Sequence, residues 1–287
     1  MKKLNKRKIR WIVQQVKKRD VGLYTIAKVQ KITPQHVCKV ARRYNGCKDP
    51  ILHKCGRRPR EITKEERNLV IKTYKEFRAG ATMIELVLKE KGISLGHNRI
   101  HKILLEEDLA RHEQKKQHRR SWVRYERKHS LSLVHADWFE IKQRQAILFI
   151  DDASRFITGY GEFNNATAEN TIKVFNKSLE YGIPKLTHTD HGTQFVSNER
   201  ENSKVKDGMF TQAVRDAGSK HILARIKHPQ ANGKAERAIG TIKRLWNELG
   251  SLHKAIQLYN YKRPHRSLIN GHLRTPYQAF IDKKRKE

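Results

Sequence analysis

Acidic residues are scarce in this chain. Aspartate and glutamate number 29 against 62 lysines and arginines over 287 residues, a formal net charge of +33. A field of that sign attracts polyanions, and nucleic acid is the commonest such partner of a basic chain. Cysteine is scarce too. Cys38, Cys47 and Cys55 are an odd number without a paired C-x-x-C, which excludes a disulfide framework and points to a reducing compartment. The same lack argues against a zinc site built on Cys47, His53 and Cys55. No apolar run approaches the roughly 18 residues of a membrane span. No long basic helix carries a broad apolar face either, which sets an anionic membrane surface aside. The opening MKKLNKRKIRWIVQQV is basic, but Gln14 and Gln15 break its apolar stretch, so it does not read as a secretory signal.

Hydrophobic residues make up 37% of the chain, with aromatics spread along it, enough for a packed core in two or three domains. The charge is uneven. Residues 1–60 hold 19 lysines and arginines against Asp20 and Asp49 alone, a net +17, whereas residues 131–287 hold 26 against 16 acids. The acids collect where chemistry is possible, and the N-terminus is almost wholly cationic.

Periodicity predicts a helix over 8–19 and two more within 23–44. Leu23, Ile26 and Ala27 make a helical stripe, Thr33 with Pro34 starts a new helix, and Val37, Val40 and Ala41 continue the apolar face. The break between them falls where helix-turn-helix units turn. Gln35, His36, Lys39, Arg42 and Arg43 then face outward, a set suited to reading bases and phosphates. The bland alternative is a small bundle with a solvated basic face. Residues 45–60 read as a linker, and "GRRPR", with Arg57, Arg58 and Arg60, resembles a basic arm for a minor groove. A second helical unit follows, opened by a capping box of Thr63 and Glu66 over 64–79, with shorter helices at about 82–91 and 96–107.

After a charged stretch the period changes to that of strands. "LSLVHADWFEI" (131–141), "AILFIDD" (146–152) and "FITGYGEF" (156–163) predict an antiparallel meander. A helix at 167–181 leads to a fourth strand, "KLTHTD". Near 209–217 another helix precedes "HILAR", and a last one runs from "HPQANG" to about 249. Three strands followed by alternating helices and strands predict a mixed α/β core.

Three acids in this region form a candidate constellation. Asp137 sits inside an apolar strand, where an unpaired charge costs several kcal/mol. Asp190 ends the fourth strand in "THTDHGTQF"; an aspartate before glycine also commonly closes a turn. Glu236 lies in the first turn of the helix opened by "PQANGKAER". If strands one and four pair, the three can make an all-oxygen cluster suited to Mg²⁺ or Mn²⁺. Two such ions about 3.5–4 Å apart serve phosphoryl transfer on DNA. Asp151 and Asp152 read instead as acids that shape a turn and hold Arg155. His188 and His191 read as supporting residues, Glu140 and Glu162 as solvated. Asn232, Gly233 and Lys234 read as a helix opening brought near a phosphate.

"YERKHSLSLVHADW" (125–138), "DDASRF" (151–156), "TDHGTQF" (189–195), "HPQANGKAER" (228–237) and "YNYKRPHRSL" (259–268) stand in the order found in insertion-sequence DDE transposases with a retroviral-integrase-like core, and the chain resembles that family over roughly residues 120–280. Five motifs in sequence are specific where one would be weak. The resemblance implies an α/β, ribonuclease-H-like mixed-sheet core preceded by helix-turn-helix domains. It implies Asp137, Asp190 and Glu236 as the catalytic, metal-holding triad for two divalent cations, Mg²⁺ or Mn²⁺. Lys243, seven residues past Glu236, resembles the basic residue this family directs at DNA. The charged insert "SNERENSKVKDG" (197–208) is a departure that lengthens the path from Asp190 to the glutamate helix.

The expected organisation is a helix-turn-helix domain over 1–55, a basic linker and second helical unit over 56–130, an integrase-like core over 131–250 and a helical extension over 251–287. The expected activity is transposition: binding of element ends, cleavage, and joining of the 3′-OH to target DNA. The partners are DNA and further copies of the chain on DNA, with no membrane and no small-molecule substrate. The expected setting is the cytoplasm of a prokaryotic cell, at the nucleoid. Two alternatives remain open, a catalytically silent DNA-binding regulator and a ribonuclease-H-like nuclease.

Overall fold

The computed structural model describes residues 4–52, 60–111, 126–197, 200–201, 204–205, 208–224 and 233–285. The chain divides into two compact units, Met1–Glu61 and Ile62–Glu287. The first contains α1 (Lys6–Lys18), α2 (Leu23–Gln30) and α3 (Pro34–Arg43). Ile9, Ile12, Ile26, Ala27, Val37 and Val40 meet in its core. Thr33 caps α3 by accepting from the His36 N–H at 3.3 Å, with Pro34 at the first helical position. The turn before it is made by Lys31 in the left-handed region, at φ 55°. Such a tight reversal is what lets α2 and α3 share one apolar centre.

The second unit begins with α4 (Lys64–Phe77), α5 (Ala81–Glu90) and α6 (His97–Glu106). The capping box of Thr63 and Glu66 is present. These helices are tied to the far end of the chain. The Arg78 carbonyl accepts from Arg244 and from Arg263 Nε, Arg78 pairs with Glu248 at 3.6 Å, and Glu90 accepts from the Leu273 N–H.

The core follows as β1 (Val134–Ile141), β2 (Arg144–Asp151), β3 (Ile157–Phe163), α7 (Ala168–Ser178) and β4 (Leu186–Thr189). Next come the short hairpin β5 (Arg200–Glu201) and β6 (Lys204–Val205), then α8 (Met209–Asp216), β7 (Lys220–Leu223) and α9 (Gly233–Leu249). Beyond α9 lie α10 (Leu252–Gln257), a π-helical turn at Leu258–Lys262 and α11 (Pro276–Asp282). The five-stranded sheet has the order β3-β2-β1-β4-β7. β1, β2 and β3 are antiparallel, and β4 and β7 run parallel to β1.

The alternation along β1 assigns its two faces. Val134 and Ala136 join Phe149, Phe175, Phe210 and Val214 on the side of α7 and α8. Phe139 and Ile141 join Ile239, Ile242, Leu245 and Trp246 of α9 on the other. Each of those α9 side chains contributes roughly 1.5–3 kcal/mol by leaving water, so the helix is held firmly along one stripe. On β3, a Cβ at Gly159 would lie 2.8 Å from Ser178 Cβ and one at Gly161 2.6 Å from Val174 Cγ2; the glycines let α7 settle on the strand.

The "YNYKRPH" segment is built into this frame. Asn260, 2% exposed, donates to the Ile157 carbonyl and accepts from the Ile157 N–H. It completes the hydrogen bonding of edge strand β3 just where the β2–β3 register shifts.

Candidate active site on the sheet

β1 and β4 pair in parallel through Val134 with Thr187 and His135 with His188, a constant offset of 53 residues. Counted at the same offset, Asp137 of β1 corresponds to Asp190, the residue just past the end of β4. α9 covers the Phe139 face of the sheet and holds Glu236 in its first turn. Asp137 and Asp190 are half-buried, and Glu236 is exposed.

The electrostatics of Asp137 report what surrounds it. Burial, then the neighbouring charges of Asp190 and Glu236, push its carboxyl up to about 7, while the Trp138 N–H and Lys243 pull it the other way. Lys243 lies with its ammonium 5.5 Å from the Phe139 ring centre, in a cation–π contact over the same face. Asp190 is fixed by a local turn, its Oδ1 accepting from the Gly192 N–H at 3.0 Å. The turn that an aspartate at this place commonly closes is thus present. Phe195, 1% exposed, anchors the far end of that loop against Phe210.

Asp137, Asp190 and Glu236 offer oxygen alone, the donor type that hard divalent cations take. Among the described residues, no three metal-ligating side chains stand close enough together to hold an ion.

Under the three acids lies a buried network that sequence reasoning missed. Asp152, at the end of β2 and 2% exposed, binds Lys234 Nζ through both carboxylate oxygens at 2.7 Å. It also meets His135 Nε2 at 3.0 Å and accepts from the Arg127 N–H at 3.1 Å. His135 Nδ1 in turn lies 3.3 Å from His188 Nδ1. Burial raises the Asp152 carboxyl, but hydrogen bonds from His135 and Lys234 overturn that and hold it well below the usual range. Lys234, expected near a phosphate, is thus turned onto the sheet. Asp152 holds Arg155 through its main-chain carbonyl, not its carboxylate, and Asp151 shapes the turn through Ser154. Glu162 is exposed, as expected, and makes a surface pair with Arg144 at 3.0 Å. The only signal in the sequence was positional: His135, His188 and Lys234 each stand two residues before one of the three acids.

In the first unit, Gln35, Lys39, Arg42 and Arg43 are exposed along α3, and His36 is half-buried at its start. Arg60 is exposed, while Arg57 and Arg58 lie outside the described residues, as do residues 225–232 that lead into α9. Among the described residues, no helix is long and apolar enough to cross a membrane.

The sheet order, a meander feeding two parallel strands with helices on both faces, is that of a ribonuclease-H-like core. No family model matches the chain. A putative integrase, ORF3 of Spiroplasma virus SpV1-C74, is 30% identical over 147 residues, 45% of this chain and 40% of that protein. The Pro-Pol polyprotein of feline foamy virus is 31% identical over 103 residues, 36% of this chain and 8% of that protein. This chain thus matches less than half the length of either relative. The crystal structure of the catalytic core domain of BIV integrase aligns with 53% of this chain and 95% of its own at a TM-score of 0.43 and 16% identity. By its relatives and its sheet order, the chain carries an integrase-like core.

Proposed function

We propose that this chain is a DNA transposase of the integrase type. Residues 1–55 bind the ends of a mobile element. The core then hydrolyses a phosphodiester at each end and joins the freed 3′-OH to target DNA. The observation that carries this reading is the environment of Asp137, whose carboxyl is raised by burial and by the charges of Asp190 and Glu236, with Asp190 directly after β4, the strand that pairs with β1.

In this reading Asp137, Asp190 and Glu236 hold two divalent cations, Mg²⁺ or Mn²⁺. Such ions supply activation of the attacking oxygen and charge stabilisation at the leaving one. The protein's own work is alignment and electrostatics. β1 and β4 fix two of the acids, and α9 brings the third. Lys243, beside Asp137, meets a DNA phosphate. Gln35, His36, Lys39, Arg42 and Arg43 read the element end, and Arg57, Arg58 and Arg60 form a groove-binding arm. Two ends must be joined in one event, so the working form is a homo-oligomer on DNA, in the cytoplasm of a prokaryotic cell at its nucleoid. No small molecule is consumed.

The test is Asp190→Asn, with duplexes carrying the terminal repeats of the chain's own element and Mg²⁺. The substitution keeps size and removes one charge, so end binding and folding persist while cleavage falls by orders of magnitude. Normal Mg²⁺-dependent cleavage by the variant refutes the triad. Cutting without joining by the unaltered protein reassigns it as a nuclease, and binding without cutting reassigns it as a regulator.

A further inference from the structure

We propose that Lys234 is a positioning residue: its ion pair with Asp152 docks the first turn of α9 on the sheet and so sets where Glu236 stands relative to Asp137 and Asp190. The inference rests on the assignment of those three acids as one metal site.

The geometry supports it from three directions. Both Asp152 oxygens lie 2.7 Å from Lys234 Nζ, a contact spanning 82 residues of sequence between the end of β2 and the start of α9. Lys234 and Glu236 share one helical turn, so a shift of the lysine carries the glutamate with it. Asp152 in turn is joined to β1 through His135, and His135 to β4 through His188. One buried carboxylate therefore gathers the three elements that carry the acids, each at a point two residues before its acid. With His135 donating from Nε2 to Asp152, its neutral ring accepts at Nδ1 from His188, which gives the chain of contacts a single direction. The apolar stripe of α9 fixes the helix along its length, but Ala235 is the first side chain of that stripe. The end bearing Glu236 depends on Lys234 for a polar anchor.

Outer partners that orient metal-binding side chains commonly govern affinity by about 10–100-fold. The experiment measures Mn²⁺ binding to the full-length protein by calorimetric titration, with end-DNA affinity and its salt dependence measured in parallel. Lys234→Met is expected to weaken Mn²⁺ binding at least about tenfold, within that range, and to leave end-DNA affinity unchanged. Lys234→Arg restores most of the binding, because a guanidinium reaches both Asp152 oxygens. If leaving Asp152 unpaired prevents Lys234→Met from folding, the double variant Lys234→Met with Asp152→Asn removes both charges and is expected to show the same weakened binding. Asp190→Asn serves as the reference. If it binds Mn²⁺ like the unaltered protein, or if the unaltered protein binds none, the metal-site assignment itself fails. If Asp190→Asn loses binding while the folded Lys234 variants keep it, only the positioning role is overturned. Loss of DNA affinity with a shallower salt slope and unchanged Mn²⁺ binding would make Lys234 a phosphate contact.

Discussion

Acid should loosen this protein through one histidine of its C-terminal turns. His265 is held down to about 4 from its ordinary 6.5, by burial first and then by Arg155, Arg263 and Arg237, with Glu126 opposing. Its neutral form is built in: Nδ1 accepts from the Ser267 hydroxyl at 2.8 Å and from the Ser267 N–H, capping the turn Arg266–Leu268. Between pH 6.5 and 4 the unfolded chain takes up a proton that the folded chain refuses. The stabilisation is thus complete above pH 6.5 and is lost as pH falls toward 4. The full difference of 2.5 units amounts to about 3 kcal/mol, and at pH 5 about 2 kcal/mol is gone. Asp137 works in the opposite sense. Its raised value makes the metal-free folded state gain stability as pH falls below about 7, so a wild-type pH profile alone mixes two signs. His265→Asn separates them, because asparagine can still cap Ser267 but does not titrate. Urea unfolding at pH 7 and pH 5 should show the unaltered protein losing about 2 kcal/mol more than the variant. Parallel losses in the two proteins would refute the reasoning.

Two further outcomes are expected. Residues 1–61 alone should bind element ends with a steep salt dependence, about 0.9 in log–log slope per phosphate contacted; equal affinity and selectivity in residues 62–287 would move end recognition elsewhere. Asn260→Ala leaves both the N–H and the C=O of Ile157 unpaired and should cost about 3 kcal/mol in urea unfolding, and a loss under about 1 kcal/mol would mean that the backbone finds other partners.

The elements of the core were legible because each carries its own period. β1 alternates, α9 repeats its apolar residues at helical spacing, and caps such as Thr33 and Thr63 mark where helices start. The nearness of Asp137 and Asp190 was conditional on β1 pairing with β4, and the structure supplies that pairing. What remained illegible depends on distance in sequence. Lys234 looks like any helix-opening cation until Asp152, 82 residues earlier, is brought beneath it. Asn260 looks like a surface polar residue until the outer edge of β3 at Ile157 needs a hydrogen-bonding partner. A one-dimensional pattern records what a residue offers locally and says nothing of which buried group needs it.

The ties at Arg78 bear on how the chain acquires its structure. Arg78 belongs to the early helices, yet Arg244 and Arg263 reach its carbonyl from 166 and 185 residues later. Tyr74 likewise meets Glu248 across 174 residues. Emerging from the ribosome, α4 to α6 can coil and collapse on their own apolar centre within the first hundred or so residues. Their polar face then waits for α9 and the turns beyond it, which follow much later in the chain. Such long-range closures slow folding and leave the helices incompletely satisfied throughout elongation. A nascent chain stalled before residue 244 should therefore hold α4 to α6 in a protease-sensitive state that completion of the C-terminus abolishes.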